Sequence, residues 1–208
     1  MKIVSVRLNK KDKTRCLLSL DDGSDADITV DALVGHRLSV GCEVDCGLIA
    51  RLERERAVQS ASSRGYDLLS YRQHSKKELV GKLIKKGEDP EAAGRAVERL
   101  CDMGVLDERE YASDRAAQLI KKGCSPAFAA RELIAKGIDR QTAQEAAFSR
   151  CPDAEGAVRA FIEKRARGPL DDRKERDRIT RALLRYGWKY DEFRHILDEY
   201  AREEGFCE

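Results

Sequence analysis

The chain has 208 residues, with 40 Lys+Arg against 38 Asp+Glu, a formal net charge of +2 and 41% hydrophobic residues. That apolar share is enough to bury a core, while four prolines and 6% aromatics exclude collagen-like, mucin-like and proline-rich classes. No apolar run approaches the ~20 residues that span a bilayer, and polar residues begin by Arg7, against a secretory signal. The expectation is a soluble, cytoplasmic protein without a membrane partner.

Residues 1–30 alternate apolar and polar three times, at Val4/Val6/Leu8, Cys16/Leu18/Leu20 and Ala26/Ile28/Val30. Polar turn segments at 9–13 and 21–24 separate the runs, which predicts a three-stranded antiparallel meander with one buried face. Leu38–Gly41 and Glu43-Val44 offer a further short strand or turn. From about Cys46 the pattern becomes helical and predicts a linking helix out of the head. The first 56 residues balance in charge, so the head reads as a packing or docking platform.

The remainder repeats with a period of fifty. Leu83-Ile84-Lys85-Lys86-Gly87-Glu88-Asp89 returns as Leu133-Ile134-Ala135-Lys136-Gly137-Ile138-Asp139, and Leu183-Leu184-Arg185-Tyr186-Gly187 keeps the leucine and the glycine. Punctuation divides each unit into three helices. Ser75 with Glu78 forms a capping box, and Gly87 closes that helix. Asp89-Pro90 opens the next. Asp107, Ser125-Pro126 and Asp139 start the helices of the second unit; Asp153, Asp172 and Asp191 start those of the third.

Each middle helix carries an apolar stripe, Leu79, Val80, Leu83 and Ile84 in the first, which neighbouring helices must cover. Leu68, Leu69, Val97 and Leu100 are the expected partners. The predicted fold is mainly α: an elongated curved array of three tandem three-helix repeats behind a small β-rich extension. The expected divisions are 1–56 (head), 57–106, 107–152 and 153–208 (repeats).

Seven scattered cysteines, an odd number, suit reduced thiols rather than a disulfide framework. Cys42 and Cys46 have no second ligand pair, so no metal site is expected. Phosphate-loop, dinucleotide, zinc-protease and nucleophile-elbow motifs are missing. The expectation is a protein with no catalytic residues and no cofactor.

Charge is segregated beneath the near-zero net. Residues 66–87, 115–140 and 159–185 are basic, whereas 88–114, 141–158 and 186–208 are acidic. The first two helices of every unit therefore carry the positive charge. The candidate contact residues are Arg72, Lys76, Lys77, Lys82, Lys85, Lys86, Lys121, Lys122, Arg131, Lys136, Arg165, Arg167, Arg173, Arg181 and Arg185. Such a stripe neutralises phosphates or meets an acidic protein surface; the alternative is a solvated face balanced by i,i+4 partners. Tyr71, Tyr186, Trp188 and Tyr190 are equally candidates for base stacking or for packing between units.

The string Tyr66-Asp67-Leu68-Leu69-Ser70-Tyr71-Arg72-Gln73-His74-Ser75-Lys76-Lys77-Glu78-Leu79, followed by Lys82-Leu83 and Lys86-Gly87, resembles the opening repeat of the RecX regulatory proteins. Arg99-Leu100, Gly104-Val105-Leu106-Asp107-Glu108, Tyr111-Ala112, Lys122-Gly123, Ser125-Pro126 and Arg131-Glu132-Leu133 through Lys136-Gly137-Ile138 continue it. The resemblance covers about 57–208 and is looser over 153–204, where Gly187-Trp188-Lys189-Tyr190 departs from the earlier Gly-x-Asp rhythm. It implies a cytoplasmic bacterial modulator of the RecA recombinase. Such a protein binds the RecA filament on single-stranded DNA in its helical groove and restrains strand exchange, ATP hydrolysis and co-protease activity in the SOS response. It transfers no fixed set of binding residues. The long repeat suits a monomer, and free DNA is a further expected partner; a general nucleic-acid-binding helical repeat module and a protein-only adaptor remain the alternatives.

Overall fold

A computed structural model describes residues 1–204. Cys207 and the last residues of the expected third repeat lie outside the described residues. Strands β1 (Ile3–Leu8), β2 (Arg15–Leu20) and β3 (Asp25–Thr29) form an antiparallel sheet in the order β1-β2-β3. Ten helices follow among the described residues: α1 (Val30–Gly35), α2 (Cys46–Leu69), α3 (Lys76–Lys85), α4 (Pro90–Asp102), α5 (Glu108–Lys121), α6 (Pro126–Ala135), α7 (Arg140–Ser149), α8 (Ala154–Arg165), α9 (Arg173–Arg185) and α10 (Tyr190–Glu204). The chain is thus mainly helical, with α2–α4, α5–α7 and α8–α10 as three-helix repeats behind a three-stranded head. It divides into two compact units: Met1–Arg72 with Glu78–Leu106, and Gln73–Lys77 with the chain from Asp107 onward.

In the head, β2 and β3 follow the predicted alternation, burying Cys16, Leu18, Leu20, Ala26 and Ile28. β1 does not. Its register shifts between Ile3 and Ser5, so Ile3 lies opposite Leu20 and Val6 opposite Leu18. The irregularity turns Ile3 inward and leaves Val4 56% exposed. Leu8, at the far end of the strand, is also exposed. Val30, read as the end of the third strand, instead begins α1, because the Thr29 hydroxyl caps the Ala32 amide at 3.1 Å. The expected element near 38–44 reduces to a turn and one bridge, Lys2 to Glu43.

The linking helix and the first helix of the first repeat are one helix. α2 runs 24 residues, since nothing between Asp45 and Ser70 interrupts it strongly enough. Its Ile49 and Leu52 complete the head core, and its Leu69 joins Leu79, Leu83, Ala93, Val97, Leu100 and Leu106 in the core of the first repeat. Gly65 permits the approach to α4: an added Cβ there would stand 2.6 Å from Leu100 Cδ1. Within the predicted stripe Leu79 and Leu83 are fully buried, but Ile84 is 40% exposed. Each fully buried leucine contributes ~1.5–3 kcal/mol.

The fifty-residue period is visible in the backbone itself. Gly87, Gly137 and Gly187 end α3, α6 and α9 at φ of 90°, 93° and 89°. The next amide in each case reaches back to the leucine carbonyl, Glu88 to Leu83, Ile138 to Leu133 and Trp188 to Leu183, each at 3.1 Å. This is the Schellman closure, which needs a left-handed residue and so favours glycine.

Candidate cationic interface

In the second unit the C-terminal end of α8 and the outer face of α9 enclose a cleft of about 510 Å³. Lys164, Arg165, Arg167, Arg178, Arg181 and Arg185 line it, with Ala166 and Ala182 between them. Local sequence builds this face. Ile179, Ala182 and Leu183 turn α9 inward, so Arg178, Arg181 and Arg185, at i, i+3 and i+7, share the opposite side. Gly168 and Pro169 halt the chain after α8 and set Arg165 and Arg167 across from them.

Ion pairing decides which cations of the third repeat stay available. Arg159 pairs with Glu199 and Arg176 with Asp198, so the acidic closing helix α10 neutralises these two. Arg178 is held by Glu175, which also accepts from the Arg167 amide at 2.7 Å. Those hydrogen bonds keep the Glu175 carboxyl at about 2, far below its ordinary range. Arg165 lies over both Phe161 and Tyr186, at 4.7 and 4.4 Å from the ring centres, and donates to the Tyr186 hydroxyl at 2.6 Å. These contacts fix its position while the charge remains. Arg181 and Arg185 stay exposed: Arg181 donates Nε to the Asp177 carbonyl at 3.1 Å, and Arg185 lies 5.9 Å from the Tyr186 ring centre. Of the six cations that line the cleft, Arg178 is already paired with Glu175, and the other five suit a phosphate chain, because the arginine fork matches phosphate oxygens in pairs.

Of the sequence-derived candidates, the cleft brings together Arg165, Arg167, Arg181 and Arg185. Lys164 and Arg178 were missed, although Arg178 stands one turn before Arg181 and the 3.6-residue period marks it. Arg173, Lys121, Lys122, Lys136 and Arg131 are exposed elsewhere in this unit, Arg131 beside Phe128 at 5.9 Å. Lys76 pairs with Glu108 at 3.6 Å, and Lys77 Nζ donates to the Ala135 carbonyl at 3.4 Å. In the first unit Arg72 and Lys82 both meet Glu78, at 2.6 and 3.5 Å. Lys85 is exposed, and Lys86 shares a smaller cleft with Arg64 and the open ring of Tyr71, 87% exposed. Trp188 is buried and donates to the Gly123 carbonyl at 2.9 Å, so it packs rather than stacks on a ligand. Tyr186 is engaged by Arg165, whereas Tyr190 is half exposed.

The family model for the first three-helix domain of RecX matches residues 61–100, the latter half of α2 through most of α4. The regulatory protein RecX of Bacillus subtilis (strain 168) is 31% identical over 97% of this chain and 79% of its own length. The chain belongs to the RecX family. RecX of Halorhodospira halophila is 32% identical over 66% of this chain and 84% of its own. A crystal structure of a regulatory protein RecX superposes at a TM-score of 0.66, with 22% identity over 95% of this chain and 98% of the other. RecX from Lactobacillus salivarius gives 0.54 at 18% identity, over 74% of this chain and 99% of that one; both likenesses are of fold.

RecX proteins are regulatory rather than enzymatic, and the family extends to the head, since the alignment with the Bacillus subtilis protein takes in nearly the whole chain. Among the described residues no group of three His, Cys, Asp or Glu is placed to hold a metal ion, and no helix is long and apolar enough to cross a membrane. The six described cysteines are unbridged. Burial pushes the thiols of Cys16, Cys124 and Cys151 above their ordinary range, which makes them poor nucleophiles.

Proposed function

We propose that this RecX protein restrains the RecA recombinase by binding the RecA filament on single-stranded DNA along its helical groove. The cleft of the third repeat neutralises phosphates of the filament's DNA, and other repeat surfaces meet recombinase protomers. Several such contacts, each weak, give tight binding without a deep pocket. Strand exchange, ATP hydrolysis and co-protease activity then fall together, because all three require the intact filament. The reading places the protein in the cytoplasm as a monomer that needs no cofactor. Its divisions at 57–106, 107–152 and 153–208 are then separate contact modules behind the 1–56 head.

Family membership supports the recombinase as partner, and the convergence of six cations on one cleft is the observation that supports a nucleic-acid contact. The deciding experiment titrates the protein into RecA on single-stranded DNA and follows ATP hydrolysis. Inhibition is expected well below one molecule per recombinase protomer; full activity at equimolar protein sinks the reading. Binding to free DNA that weakens steeply with salt, with no effect of recombinase, would instead favour a general nucleic-acid module. Recombinase binding that is indifferent to nuclease would favour a protein-only adaptor.

A further inference from the structure

Within the cleft of the third repeat one cation is held differently from the rest. The Arg165 guanidinium lies between two rings, 4.7 Å from the centre of Phe161 and 4.4 Å from that of Tyr186, and Nη2 donates to the Tyr186 hydroxyl at 2.6 Å. Its main-chain carbonyl accepts from Arg178 Nη2 at 2.5 Å, which ties the end of α8 to α9. Arg165 is half-buried, whereas Lys164, Arg167, Arg181 and Arg185 around it are exposed.

Tyr186 is itself fixed from several sides. Its amide closes α9 on the Ala182 carbonyl at 3.1 Å, and its carbonyl accepts from the Ser125 amide at 2.9 Å. Its ring meets Phe161 edge to face, with centres 5.2 Å apart and planes at 67°. Phe161 is buried and lies so close over Gly123 that an added Cβ there would stand 2.5 Å from Phe161 Cδ2. The loop between α5 and α6 thus fixes the tyrosine, and the tyrosine fixes the arginine.

We propose that Tyr186 is the positioning residue of this cleft, holding the Arg165 guanidinium in the orientation in which its remaining N–H groups meet phosphate oxygens of the DNA backbone. The proposal rests on the reading of the cleft as a DNA contact. Stacking occupies the faces of a guanidinium and leaves its in-plane N–H groups free to donate. The Tyr186 hydroxyl takes one of them and sets the direction of the others. Arg181 and Arg185 must be ordered when the strand arrives, and they act chiefly as charges. Arg165 is ordered beforehand, so it loses less freedom on binding and acts through its geometry.

The test follows binding of a labelled oligothymidylate to the full chain by fluorescence anisotropy over a range of salt. It compares the unaltered chain with Tyr186→Phe, Arg165→Lys and the two combined. Phenylalanine keeps the ring and removes the hydroxyl; lysine keeps the charge and removes the fork. Tyr186→Phe is expected to weaken binding about three- to tenfold. Its log–log salt slope should match that of the unaltered chain, because no charge is lost. Arg165→Lys should also weaken binding at constant slope. In that background Tyr186→Phe should change the affinity by less than about twofold, since the hydroxyl acts only through the fork. Unchanged affinity in Tyr186→Phe overturns the proposal and leaves the DNA contact standing. So does a loss as large in the Arg165→Lys background as in the unaltered chain, which would mark a general structural role for the tyrosine. Absence of oligothymidylate binding by the unaltered chain removes the DNA contact itself, and the proposal with it.

Discussion

The Ser125 hydroxyl donates to the carbonyl oxygen of Gly187 at 2.7 Å while accepting from the Phe128 amide at 3.2 Å. One buried side chain therefore caps α6 and ties it to the end of α9, sixty-two residues away. The same device appears at the preceding repeat position, where Ser75 donates to the Lys136 carbonyl at 2.8 Å, at the end of α6. These serines account for the register of the repeats in physical terms, because each satisfies a carbonyl that its helix leaves unpaired.

Ser125→Ala is expected to destabilise the protein by about 1–3 kcal/mol, from the lost cap and the carbonyl left buried. Urea denaturation followed by circular dichroism measures it. A change below about 0.5 kcal/mol would remove Ser125 from this role.

Gly87 and Gly187 share a backbone conformation but not a neighbourhood. An added Cβ meets open space at Gly87, whereas at Gly187 it would stand 2.5 Å from Phe128 Cβ. Gly87→Ala should cost only the left-handed penalty of about 1–2 kcal/mol. Gly187→Ala should cost clearly more, because backbone or Phe128 must shift. Equal melting temperatures for the two variants would contradict the packing at Ser125 and Phe128.

Glu175 makes acid stability readable. Its folded value of about 2 lies below the ordinary 4.5. Its stabilising contribution is therefore complete above about pH 4.5 and is lost as pH falls toward 2. Glu175→Gln should flatten the fall in melting temperature across that window. A variant whose melting temperature falls as steeply as that of the unaltered chain would show that the contacts to Arg178 and Arg167 do not persist in solution.

Cations of the third repeat should separate by their partners. Arg181→Ala and Arg185→Ala should each reduce the salt dependence of single-stranded DNA binding by about 0.7 in log–log slope. Arg159→Ala and Arg176→Ala, whose charges are spent on Glu199 and Asp198, should leave that slope nearly unchanged. Identical slopes for all four variants would remove the cleft from the interface.

The repeat architecture was legible because its signals are local. Asp89, Asp107, Ser125, Asp139, Asp153 and Asp172 each accept a hydrogen bond from an amide within three residues. Gly87, Gly137 and Gly187 each solve a conformational problem at their own positions, so spacing alone revealed them. The cationic segments were legible for the same reason, and one cleft draws Arg165, Arg167, Arg181 and Arg185 from them.

Which cation is free, however, depends on residues distant in the chain, and there the sequence is mute. Arg159 and Arg181 look alike until α10 brings Glu199 to one of them. Val4 reads as a core residue until the register shift beside Ile3 turns it outward. Trp188 reads equally as a stacking platform or a packing residue until the Gly123 carbonyl claims its indole. Caps and glycine closures act over a single helical turn and are written in adjacent residues. Charge pairing, strand register and burial are set by what folding brings close, and only the tertiary structure decides them.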